Sequence, residues 1–332
     1  MSRLRWLIPP AAVVLVLAAA FLAWRLFASP EREEVVAYVS ADQEVAEPVL
    51  RLFEHRTGLK VLPVYDAEAN KTAGLALRIL QERQRPRADV FWASEPVRMA
   101  RLSREGVLEP YASPAAEGLP RFRDWTAFSS RARVILVNTR LAGEDRPRTL
   151  EDLMAPLWKG KVAISDPRFG TARTQVAALD AVWGRPRLLE YGRGLRANGV
   201  RICAGNAMVR ELVERGELAV GVLDTDDAWV SLDRGMPVAL VVPEPDTLVF
   251  PNAVALVKGG PHPKAGRLLM DFLLSTEAEG LLARPPVRQP PLRPAVPAPP
   301  EVVRPQAMPA DWEALGSSVE EAAQAFYEAL KP

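Results

Sequence analysis

From Val35 to Arg104 the chain alternates, three times over, a short apolar run with a longer stretch of helical period. Val35–Val39, Lys60–Tyr65 and Ala88–Trp92 read as strands. After the first, Val45, Ala46, Val49, Leu50 and Phe53 recur at helical spacing until Gly58 stops the pattern. Another helix follows the second strand, and Arg98–Arg104 follows the third. Parallel strands need a crossover, and helices of this length supply it. The alternation therefore predicts an α/β fold with doubly wound sheets.

The same pattern returns farther on. Arg133–Asn138, Val162–Ser165, Val200–Cys203 and Leu218–Leu223 read as strands. Helices are expected to Trp183, from Leu188, and after Asn206, with a short one over Leu150–Leu157. At 332 residues the chain exceeds one comfortable core, so two lobes are expected. Residues 35–133 and 246–283 form the first and 134–245 the second. Thr247–Ala253 crosses back, and Ala253–Lys258 re-enters the sheet. Residues 284–332 add a proline-rich segment, extended along the body, and a helix capped by Asp311.

Composition narrows the function classes. A net charge of +1 gives no basic excess for nucleic acid. One cysteine, Cys203, excludes an internal disulfide or a thiolate cluster, and His55 and His262 stand in unlike contexts. Neither a nucleophile motif nor a nucleotide-binding loop supports an enzyme. Arg3 and Arg5 precede the uncharged run Trp6–Trp24, so residues 1–28 read as a signal peptide or a retained membrane anchor. The body is then expected outside the cytoplasm, as a monomer.

The chemistry concentrates after Leu218–Leu223. Asp224, Asp226 and Asp227 follow that run, and a helix is suggested from Ala228. Carboxyl ends of parallel strands are where open α/β sheets bind ligands. Turn and cap chemistry is the competing account of the aspartates.

Several stretches carry a resemblance. They are Tyr38-Val39-Ser40, Ala88–Trp92 with Glu95 beyond it, Trp158–Ala163, Gly170-Thr171, Gly205-Asn206-Ala207 and Gly216–Gly221. In order and spacing they resemble the solute-binding proteins of ATP-driven (ABC) importers, nearest the ferric-iron branch. The resemblance implies a two-lobed type II periplasmic-binding-protein fold with two crossing strands. It also implies hinge closure on a ligand and an ABC permease as partner, with no chemistry done on the ligand. Iron binders hold Fe(III) with two adjacent tyrosines just after the strand that here is Leu218–Leu223. Asp226 and Asp227 stand there instead, and Asp42-Gln43 stands near the place of a frequent histidine. Glu95 matches an acidic ligand, and Gly170-Thr171-Ala172 a helix start that holds an accessory anion.

The candidate ligand-binding residues are thus Ser40, Asp42, Glu95, Gly170, Thr171, Ala172, Asn206, Asp224, Asp226 and Asp227. Glu95, Asp226 and Asp227 are the candidate metal ligands, as hard oxygen donors for Fe(III) or another cation carried as cargo. Carboxylates facing a helix start suit a metal with a bridging anion, or a zwitterion such as an aminophosphonate. An extracytoplasmic sensor is a further alternative, and an enzyme using the Asp pair with Glu95 as acid and base a remote third. Capping is the competing role for Asp42 and Asn206, and Asp224 is expected as a cap or supporting group. Asn70-Lys71-Thr72 is a lesser anion candidate, and Arg173 and Thr174 are possible added donors.

Overall fold

In a computed structural model, residues 34–66, 73–302 and 304–331 are described. The amino-terminal segment 1–28 and residues 70–72 lie outside them. No helix among the described residues is long and apolar enough to cross a membrane.

The first strands and helices follow the alternation. They are β1 (Glu34–Val39), α1 (Gln43–Thr57), β2 (Lys60–Tyr65), α2 (Ala73–Gln81), β3 (Val90–Ala93), α3 (Pro96–Arg104) and the short β4 (Leu108–Glu109). Strand β1 lies parallel between β2 and β3. Helix α1 buries Ala46, Val49, Leu50 and Phe53, the stripe legible in the sequence. It ends where Gly58 takes φ 75°, a left-handed conformation that costs glycine little.

Strand β5 (Thr126–Asn138) is the link between two sheets. It is followed by α4 (Thr139–Ala142), β6 (Val162–Ser165), α5 (Gly170–Trp183), α6 (Arg185–Ala197), β7 (Arg201–Cys203), α7 (Asn206–Glu214), β8 (Val220–Asp224), α8 (Thr225–Asp233) and β9 (Val238–Val241). Then come β10 (Val249–Val257), α9 (Pro263–Leu273), α10 (Thr276–Leu282) and α11 (Trp312–Leu330). The strand order is β2-β1-β3-β10-β5-β8-β6-β7, with β4 on β10 and β9 on β5. Within β5 the first residues pair antiparallel with β10 as far as Ala132, opposite Val249. From Arg133, opposite Asp224, the strand pairs with β8. One strand thus belongs to both sheets, and the curled sheet has two halves joined by β5 and the β9–β10 return.

Three local expectations need correction. Strand β5 starts at Thr126, well before Arg133, because its first half is buried against β10. The expected segments Thr247–Ala253 and Ala253–Lys258 merge into one strand, β10 over Val249–Val257, which absorbs Pro251 in a register shift instead of breaking. Leu150–Leu157 is two 3-10 turns, Glu151–Met154 and Pro156–Trp158, separated at a proline that lacks an N–H.

The proline-rich stretch is packed on the body. Arg293 lies in it, 8% exposed, 2.7 Å from Glu279 and donating to the carbonyls of Leu274 and Glu117. Farther on, the Met308 N–H donates to the Thr247 carbonyl (2.9 Å). Asp311 caps α11 by accepting from the N–H groups of Glu313 and Ala314. The helix buries Leu315, Val319, Ala322 and Phe326 against α5 and α6 of the second half, and also packs on α3 of the first.

Candidate functional site

The acidic turn begins with a close approach. Gly221, in the middle of β8, has no side chain where a Cβ would stand 2.5 Å from Val209 Cγ1 on α7. This lets α7 lie against the sheet and sets the depth at which β8 ends. Helix α8 then starts at Thr225, three residues before the apolar period shows it, because its first turn carries aspartates. Asp226 and Asp227 occupy that turn, where the helix dipole favours negative charge. Asp224 stands at the cap position but makes no side-chain cap bond. One carboxylate oxygen from each of the three lies within 4.8 Å of the others.

Two arginines from β5 meet this cluster. Residues 131 and 133 share a strand face by the two-residue period. They flank the point where β5 passes from β10 to β8. Arg133 Nη1 donates to Asp224 Oδ1 (2.8 Å) and Asn206 Oδ1 (3.0 Å), and its Nε to Gln175 Oε1 (3.1 Å). Arg131 Nη1 donates to Asp226 Oδ2 (3.0 Å) and lies 3.6 Å from Asp224 Oδ2, while Nη2 donates to the Ser94 carbonyl. Thr171, at the start of α5, places its hydroxyl 2.9 and 3.0 Å from the two oxygens of Asp224. Asp224 is therefore saturated by partners inside the protein, a supporting role but not a cap.

Charge crowding shows in the pKa values. Burial, then Asp226, Asp224 and Asp42, push the Asp227 carboxyl up to about 8, against a hydrogen bond from Asn206. Asp226 is also raised, by burial first, with Arg131 opposing and Asp224 and Asp42 adding to it. Arg131 is disfavoured as a cation by burial, yet Asp226 and Asp224 outweigh that and raise it above the ordinary arginine range. Asp227 is the carboxyl that lacks an arginine of its own among the contacts described.

The other candidates separate. Asp42 occupies the cap position of α1 without a side-chain cap bond, contrary to the capping expectation, and its charge acts across the gap on Asp226, Asp227 and Arg131. Asn206 does not cap α7 either, since Gly205 holds that position. Its Oδ1 accepts from Arg133 and from Ser165 Oγ (2.6 Å), leaving the amide N–H₂ for Asp227. Ser40 is 3% exposed and its Oγ accepts from the Ser94 N–H (2.8 Å), tying the ends of β1 and β3 together. Gly170 opens α5 with φ 51°, and Ala172 is buried behind Thr171. Glu95 is 1% exposed, caps α3 through Val97 N–H, and stands apart from the aspartate trio. Arg131 and Arg133 were not among the candidates. The trace they leave is two charges at alternate positions in an apolar strand.

Residues 85–313 match the family described as bacterial extracellular solute-binding protein. The chain belongs to this family. Among curated relatives, this solute-binding protein is 27% identical over 271 residues to the major ferric iron-binding protein of Neisseria meningitidis serogroup B, covering 77% of this chain and 80% of that one. It is also 27% identical over 210 residues to a putative 2-aminoethylphosphonate-binding periplasmic protein of Salmonella typhi, covering 61% and 62%. Iron-bound HitA from Pseudomonas aeruginosa superposes with a TM-score of 0.79 at 23% identity, over 90% of this chain and 99% of HitA. The two-lobed α/β architecture of periplasmic binding proteins is thus shared, and these family members are binding proteins.

Proposed function

We propose that this solute-binding protein captures a small zwitterionic solute between its two halves and delivers it to an ABC permease outside the cytoplasm. Asp227 receives an ammonium group, with the charges of Asp226 and Asp42 beside it. The first turn of α5 at Gly170–Ala172 faces the anionic end, where unpaired N–H groups and the helix dipole favour negative charge. The carrying observation is the state of the aspartates. Asp224 is taken up by Arg133 and Thr171, and Asp226 by Arg131. Asp227 is left with a pKa raised to about 8, a site that a cation would stabilise. Closure of the halves on the solute completes the mechanism, and no catalytic step is assigned.

A second reading, Fe(III) or another hard cation with an accessory anion, is favoured by the three carboxylate oxygens within 4.8 Å of one another. Against it, Arg131 and Arg133 already engage Asp226 and Asp224, which leaves too few free carboxylates for a multivalent ion, whereas one ammonium charge needs only Asp227. Isothermal titration of the full chain with 2-aminoethylphosphonate, and separately with ferric ion plus phosphate, discriminates the two. Binding of the amine that Asp227→Asn abolishes supports the first reading. Heat with ferric ion alone transfers the assignment to the metal.

A further inference from the structure

Glu95 stands where α3 of the first half meets α5 of the second. Its Oε2 accepts from the Val97 N–H (2.9 Å) and, across the gap, from Thr174 Oγ1 (3.2 Å). Its other oxygen, Oε1, is buried without a hydrogen-bond partner among the described residues. Next to Thr174 on α5 is Arg173, 6% exposed, whose Nε is likewise buried and unpartnered. One half therefore holds an open acceptor and the other an open donor of opposite charge.

The competing donor is Arg98 Nε on α3, also buried without a partner among the described residues, but Arg98 lies on the same half as Glu95 and already engages Glu320 through Nη1. Burial pushes the Arg173 guanidinium below its ordinary range, with Arg98 and Arg101 adding to that, and Glu95 is the foremost charge opposing it. Glu320 on α11 is engaged by Arg98 (3.3 Å) and Arg101 (3.6 Å). A buried charge is costly unless paired, and each of these two has its complement on the facing half.

We infer that Glu95 and Arg173 form a charge latch between the halves, and that Glu95 governs solute retention through closure without touching the solute. Thr174 already makes one strand of the latch, and the Arg173 Nε–Glu95 Oε1 bond is the second, made whenever the halves close fully, with solute or in the closed part of the solute-free population. Closing in this way sets a desolvated, hydrogen-bonded ion pair between the halves, where it slows reopening.

The test uses the full chain with a dye pair at exposed Arg83 and Glu211, one on each half. In solute-free protein, Glu95→Gln and Arg173→Met each lengthen the inter-dye distance, and the double variant does so no further. Arg173→Lys, which keeps the charge, restores much of the distance. With 2-aminoethylphosphonate as probe, a readout that rests on the proposed solute, each single variant speeds dissociation on the order of tenfold, and the double variant equally. Strictly additive effects overturn the latch. So does loss of probe binding in Glu95→Gln alongside unchanged distances in Arg173→Met, a result that makes Glu95 a solute contact. If the probe fails to bind, the solute-free distances still decide the latch, and only the solute class is lost.

Discussion

Arg133 Nη1 lies 2.8 Å from Asp224 Oδ1, with the two side chains 1% and 3% exposed. The pair joins the strand shared by both sheets to the end of the strand that carries the acidic turn. Removing Arg133 takes the nearer cation from buried Asp224 and leaves Arg131, at 3.6 Å, to offset its charge. Arg133→Met is expected to lower unfolding free energy by about 3–5 kcal/mol, and Arg133→Met with Asp224→Leu by clearly less. Urea denaturation of the single and double variants measures both.

Asp227 makes stability depend on pH in an unusual direction. Its carboxyl ordinarily titrates at 3.8 and here at about 8. Between those values the folded chain binds a proton that the unfolded chain does not. Stability of the solute-free protein should therefore fall as pH rises through that window and level off above it. Asp227→Asn flattens the slope. Denaturation midpoints at about pH 5, 6.5 and 8.5 check the sign, and carboxyl NMR should find one aspartate titrating near 8. A rise in stability across the window would remove the charge-crowding account.

Gly221→Ala tests the close approach beneath the acidic turn. The new methyl would meet Val209 Cγ1 at 2.5 Å and Val213 Cγ2 at 3.1 Å. Overpacking of this kind costs about 1–3 kcal/mol. Because α7 also carries Asn206, affinity for the solute should weaken together with the melting temperature, whereas Val209→Ala in the same background should recover part of each.

Phe326→Ala addresses α11. The ring is 3% exposed and stacks on Tyr191 at 5.9 Å between centroids. A loss of about 3–5 kcal/mol is expected in chemical denaturation. Solute affinity measured well below the melting temperature should fall less than stability does, since the ring lines a cavity with Ala172 and Arg133 but not with the three aspartates.

Much of the fold was readable because its signals are local. The stripe of α1, the buried runs of β1, β6 and β8, and the Asp311 cap each follow from residues within a few positions of one another. Asp226 and Asp227 could be singled out for the same reason, as charges directly after an apolar strand. What stayed hidden depends on pairing between distant segments. The first half of β5 is a strand because β10 covers it, and Arg131 and Arg133 acquire meaning only when Asp224 and Asp226 arrive opposite them. Asp42 and Asn206 look like caps in sequence, since both stand at helix starts. Arg133, Ser165 and Asp227 take up the Asn206 side chain, and the Asp42 carboxylate makes no cap bond although its charge reaches Arg131, Asp226 and Asp227.

The route of the chain has a practical corollary. Strand β5 carries it into the second half, the β9–β10 return brings it back, and the segment running past Met308 crosses once more to α11. Three passages leave Glu34, at the start of β1, on one half and Lys331, beyond α11, chiefly on the other. Handles attached near those two positions would straddle the gap. Tension applied through them would load the shared strands in parallel, so a single-molecule tether could read opening and reclosing without any label inside the fold.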